Sequence, residues 1–142
     1  MQMSKYNKIP KVELHLHLDC SLSFDVVNRI NPLIEIDEYK SSFQAKSNSS
    51  SLNDYINCAD RAIELMQKRE NLELVVEDLF KQLKKENVIY AEIRFAPLLH
   101  CSQNLDENKV VEIICNKAKI ESEKNDINYG LILCTLRHYS KK

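Results

Sequence analysis

Between residues 11 and 19 hydrophobic and polar positions alternate without a break, which is the period of a β-strand. In an extended chain Val12, Leu14, Leu16 and Leu18 project to one face, and Glu13, His15, His17 and Asp19 to the other. The aliphatic row predicts packing beneath a layer of helices. The opposite row has no reason to exist on an ordinary core face, where each unpaired polar group costs several kcal/mol.

Further along, the period changes. Ser23 is placed to cap a short helix through Phe24, Val27 and Ile30 that ends near Pro32. Residues 35–51 show neither period and, rich in Ser, Asn and Lys, read as a polar loop. From residue 52 apolar side chains recur at three and four residues (Leu52, Tyr55, Ile56, Ala59, Ala62, Ile63, Met66), the stripe of an amphipathic helix. A second helix, capped by Asn71, carries Leu72, Val75, Val76, Leu79 and Leu83.

Residues 88–95 return to strand alternation, with Glu92 and Arg94 opposite Ile89, Ala91, Ile93 and Phe95, and Pro97 stops the strand. Asn104 or Asp106 caps a third long helix through Val110, Ile113, Ile114 and Ala118, and a last strand follows Gly130. Strands separated by helices must run parallel, with right-handed crossovers and the helices on the outer face. The expected class is α/β: an incomplete (β/α)8 TIM-type barrel, its first three parallel strands with flanking helices, in one unit over residues 1–142. A complete barrel needs about 250 residues.

Composition narrows the functional classes. The chain is 44% hydrophobic and 29% charged, with a formal net charge of −1. Such a balance offers no field for nucleic acid or an anionic membrane, so neither is expected as a partner. No run reaches membrane-spanning length. Five cysteines, widely spaced and without a Cys-x-x-Cys pair, suggest reduced thiols in a cytoplasmic protein. A single glycine in 142 residues means that either Asn and Ser serve the turns or the fold is imperfectly served.

The candidate chemistry lies in the first strand. His15 and His17, at i and i+2, project from one face with Cα atoms roughly 6.6 Å apart, so both can reach one ion. Neutral imidazole nitrogens suit a divalent metal such as zinc. A bare His-x-His pair also fits two surface histidines on an exposed strand, and the flanking residues decide between these readings. Pro10-Lys11-Val12-Glu13-Leu14-His15-Leu16-His17-Leu18-Asp19 resembles the first barrel strand of the adenosine and AMP deaminase family of metal-dependent hydrolases. Val88-Ile89-Tyr90-Ala91-Glu92-Ile93-Arg94-Phe95-Ala96-Pro97 is similar to its second strand, and Gly130-Leu131-Ile132-Leu133-Cys134-Thr135-Leu136-Arg137-His138 to its third.

The resemblance implies an adenosine deaminase, a hydrolase that uses one Zn2+ to convert adenosine to inosine and ammonia. It makes His15 and His17 metal ligands and puts His17 and Asp19 on the substrate side. Asp19 would contact the ribose, which suits adenosine or deoxyadenosine better than AMP. The family's remaining ligands, a His and an Asp, and its catalytic Glu come from strands beyond the third. No catalytic residue is therefore expected within these 142 residues, and the chain alone is expected to be inactive. Cys20 stands where the family usually has glycine. His100 and His138 follow the second and third strands and are expected as loop, supporting or substrate-side groups on the same rim. Two other readings remain: a non-catalytic chain that self-associates or pairs with a complementary polypeptide through open strand edges, and another amidohydrolase, such as a two-metal enzyme.

Overall fold

The computed structural model describes residues 8–44, 52–102 and 104–137, the side chains of 52–57 excepted. Three strands, β1 (Lys11–His17), β2 (Val88–Phe95) and β3 (Asn128–Leu133), form one parallel sheet in the order β1-β2-β3. Between β1 and β2 run α1 (Phe24–Ile30), α2 (Ile36–Ser42), α3 (Leu52–Leu65) and α4 (Arg69–Lys85), and α5 (Glu107–Asn125) joins β2 to β3.

The core lies between the sheet and the two long helices. Ala91, Ile93 and Phe95 of β2 meet Leu72, Val76 and Phe80 of α4 there, all buried, and α4 packs along α5. The other face of β2 carries Glu92 and Arg94, as its alternation predicts, although Ile89 at the strand's start is exposed. Ser23 caps α1 by accepting from the Val26 amide, and Asp106 caps α5 by accepting from the Lys109 amide.

Several expectations need correction. Within the stretch that composition marks as loop, Ile36–Ser42 is helical, held by Tyr39, whose ring packs between Phe24 and Phe43 and whose hydroxyl donates to the Leu22 carbonyl at 2.8 Å. Residues 45–51 of that stretch lie outside the described residues. Helix α4 begins before Asn71, at Arg69, and Asn71 instead donates to the Leu65 carbonyl at 2.7 Å, tying α4 to the end of α3. Strand β3 starts at Asn128, so Gly130 sits inside it. A Cβ at Gly130 would meet the Tyr90 hydroxyl at 3.3 Å, which favours glycine at that point.

The aliphatic row of β1 is also not wholly buried. Val12 is 58% and Leu14 55% exposed. The pairing of β1 with β2 slips between Glu13 and Leu16, whose partners are Ala91 and Ile93. A compensating shift lies between Lys11 and Val12, so that Val12 and Glu13 pair one position further along β2 than the rest of the strand, and Glu13, not Leu14, lies beside the core residue Ala91. The Glu13 carboxylate accepts from the His15 amide at 3.2 Å. The other edge of β1 has no strand partner among the described residues, which leaves the side chains there uncovered.

The scarcity of glycine is met at two helix ends. Asn87 (φ 58°) follows α4 and Asp126 (φ 56°, ψ 54°) follows α5, both left-handed. Asn87 gains from its side chain, which donates to the Lys8 carbonyl at 2.9 Å. Asp126 has a Cβ in a region that glycine enters freely and a negative charge at the negative end of the α5 dipole. Asp126→Gly is expected to raise the unfolding free energy by about 1 kcal/mol, read as a higher urea midpoint at unchanged slope.

Candidate metal centre

Strand β1 delivers His15 and His17 to its C-terminal end, where they stay exposed while the following turn, Leu18–Cys20, dives into the core with Leu18 and Asp19. That turn is anchored from α4. The Asp78 carboxylate accepts from the Ser23 amide (3.0 Å) and hydroxyl (2.6 Å), and Gln82 Nε2 donates to the Ser21 carbonyl (2.7 Å) and to Asp78 (2.8 Å). The exit of the histidine-bearing strand is thus held by a helix some sixty positions downstream in sequence.

The two imidazoles converge. Nε2 of His15 and Nε2 of His17 lie 3.3 Å apart, their rings tilted by 35°. Two nitrogens bound at about 2.0–2.1 Å to one tetrahedral ion are about 3.3–3.4 Å apart, so the pair has the bite that zinc requires. In the metal-free chain one ring can donate to the other across the same gap.

His17 pairs in register with Arg94 of β2, and its Nδ1 lies 3.8 Å from the Asp19 carboxylate. Partial burial pulls the His17 imidazole below its ordinary pKa; Asp19 opposes this, and the charges of His15 and Arg94 add to it. The neutral form that results is the one that binds metal. Asp19 is 6% exposed, and burial raises its carboxyl above the usual range against the pull of His17. Burial and the adjacent Asp19 carboxylate push the Cys20 thiol up to about 12, although its side chain reaches the surface. Cys20 does not have positive φ, so it replaces the family's glycine without backbone strain.

Of the sequence-predicted site residues, His15, His17 and Asp19 come together at one strand end. His100 does not join them. It sits in the turn Pro97–His100 after β2, 0% exposed, with neither ring nitrogen hydrogen-bonded, and burial pulls its pKa down to about 4. His138 lies outside the described residues. Arg94, one atom of which (Nε) is buried without a partner, is a neighbour of the site that the strand alternation placed on the right face without assigning it to the histidines. Among the described residues no group of three or more His, Cys, Asp or Glu side chains could hold a metal.

A parallel strand-and-helix layer, with two histidines at the C-terminal end of its first strand, defines a partial (β/α) barrel. The sequence model of the adenosine deaminase family matches residues 10–142, and the chain belongs to that family. It is 42% identical over 137 residues to the adenosine deaminase of Clostridium acetobutylicum, an alignment spanning 92% of this chain and 41% of that enzyme. The chain thus covers about two fifths of the length of such curated relatives. Among solved structures it superposes on an adenine deaminase from Arthrobacter aurescens (TM-score 0.72, 18% identity, 87% of this chain and 39% of that one). It also superposes on an amidohydrolase from Burkholderia ambifaria with bound zinc (TM-score 0.73, 16% identity, 94% and 39%). These likenesses confirm the barrel architecture.

Proposed function

We propose that these residues form the N-terminal part of a zinc-dependent adenosine deaminase, a cytoplasmic hydrolase that releases ammonia from adenosine or deoxyadenosine and leaves inosine or its deoxy counterpart. The single observation that carries the metal reading is the 3.3 Å Nε2 to Nε2 separation, the bite of one tetrahedral ion. When bound there, zinc would activate water at neutral pH. Nε2 of His15 and of His17 would hold it, and Arg94 beside His17 would favour the neutral imidazole. Asp19, buried at the end of the same strand, would accept hydrogen bonds from the sugar hydroxyls, so that the purine is oriented over the metal.

The described residues bring neither the other ligands of a tetrahedral catalytic site nor a carboxylic acid placed to protonate the ring. The 142-residue chain supplied with zinc and adenosine is therefore expected to release no ammonia above the uncatalysed rate. The check is a coupled ammonia assay run alongside the decrease in adenosine absorbance; turnover at an enzyme-like rate would show that the catalytic set is complete in this chain.

A further inference from the structure

We propose that Asp78 and Gln82 of α4, acting through Ser21, are positioning residues for the end of β1: they set the direction in which His17 and Asp19 leave the strand. The inference rests on the metal reading of the histidine pair only for its expected change in zinc affinity.

A continuous run of hydrogen bonds leads from α4 to the strand. The Asp78 carboxylate accepts from Gln82 Nε2 at 2.8 Å, Gln82 Nε2 also donates to the Ser21 carbonyl at 2.7 Å, and the Ser21 hydroxyl donates to the His17 carbonyl at 2.5 Å. Both partners of the Gln82 amide nitrogen are acceptors, which fixes the orientation of that amide. Asp78 and Gln82, both half-buried, stand four residues apart on α4, the spacing at which helix side chains meet.

The same carboxylate holds the far side of the turn. It accepts from the Ser23 amide at 3.0 Å and hydroxyl at 2.6 Å, and that hydroxyl in turn accepts from the Val26 amide at 3.3 Å to cap α1. Between these anchors Leu18–Cys20 forms a single turn, closed by the Ser21 amide on the Leu18 carbonyl at 3.4 Å, and it carries Asp19. Held at His17, Ser21 and Ser23, the turn has little freedom to rotate.

The kind of contact separates positioning from simple attachment. Leu18 and Leu22, both buried, already bind the turn to the core, but apolar contact has no direction. Asp78 meets neutral donors, two from Ser23 and one from Gln82, and hydrogen bonds to a charged acceptor are the stronger ones. Such bonds give the precision that a site needs, about 0.5 Å in the placement of its groups.

The test uses the chain labelled with nitrogen-15 at histidine, so that each ring is read by NMR. Gln82→Met, Asp78→Leu and Ser21→Ala each remove one link. Each is expected to shift the ring nitrogens of His17, while those of His100, buried in a separate turn, stay as in the parent. Competition between the chain and a chromophoric chelator for zinc chloride should show affinity falling about tenfold, the lower end of the range for residues that orient metal ligands. Ser21→Thr keeps the hydroxyl and should match the parent in both measurements. Lys117→Met, which loosens α4 on the side facing α5, should match it too. Unchanged His17 shifts in the variants that keep native circular dichroism overturn the proposal, as does unchanged affinity where the parent binds zinc. A shift of His17 and His100 together, or an equal loss in Lys117→Met, shows general loosening and overturns it as well. Absence of zinc binding by the parent overturns the metal reading instead, and the His17 shifts then decide the positioning role by themselves.

Discussion

Moved from pH 6.5 to pH 4, the chain is expected to lose about 3 kcal/mol of folding stability through His100 alone. The imidazole is fully buried without a hydrogen-bond partner on either nitrogen, and its pKa falls from 6.5 to about 4 because burial penalises the charged form. No charged neighbour contributes to that shift. Between these two values the unfolded chain binds a proton that the folded chain refuses, so acid favours unfolding. The loss begins as pH drops below 6.5 and levels off below about 4, where both states are protonated.

His100→Leu, of similar volume, isolates this contribution. The variant should match or exceed the parent at pH 7, since two orphaned polar atoms are removed, and should lose about 3 kcal/mol less on going to pH 4. Urea unfolding at both pH values decides it: parallel stability profiles for parent and variant would refute the assignment.

The second large effect concerns the seam between α4 and α5. Glu121 on α5 is 1% exposed and accepts from Lys117 Nζ at 2.7 Å, while Lys117 also reaches Glu77 on α4 at 3.1 Å. Hydrogen bonds from Lys81 and Lys117 hold the Glu77 carboxyl at about 2. Lys117→Met leaves the Glu121 carboxylate buried with only Lys124, at 3.5 Å and largely in solvent, and the Asn125 side-chain amide. Removing one partner of a buried pair costs about 3–5 kcal/mol, and those two residual contacts place the expected loss near the lower figure, about 3 kcal/mol. Replacing both partners, Lys117→Met with Glu121→Leu, should recover most of it, because no uncompensated charge then remains. Thermal or urea unfolding of the two single variants and the double one measures the coupling directly; strict additivity would show that the pair is not energetically linked.

The two effects are separable by pH. His100 acts between 6.5 and about 4, whereas Glu77, whose carboxyl is depressed from 4.5, contributes stability that is fully present above 4.5 and lost as pH falls through about 2. The Lys117 comparison is therefore best made at neutral pH, above both of these windows.

Local pattern was sufficient for much of this molecule. The i, i+2 spacing of His15 and His17 on a strand, the caps at Ser23 and Asp106, the stripes of α4 and α5 and the parallel order of three strands all follow from periods and end signals within a few residues of one another. The three motif blocks carried the family. Tertiary structure alone decided the rest, because those outcomes depend on residues far apart in the chain. The paired register shifts that bring Glu13, not Leu14, beside the core arise against β2, more than seventy positions away. The helix at Ile36–Ser42 forms in a polar stretch because Tyr39 finds Phe24, Phe43 and the Leu22 carbonyl. His100 looks like a rim residue until the packing of its turn against α5 removes it from solvent, and Lys117 looks like one more surface lysine until α4 brings Glu77 beside it. Periodicity tells which side of an element a residue occupies; whether that side meets water, a charge or a neighbouring strand is set by long-range contacts, and the energetics of burial depend on that.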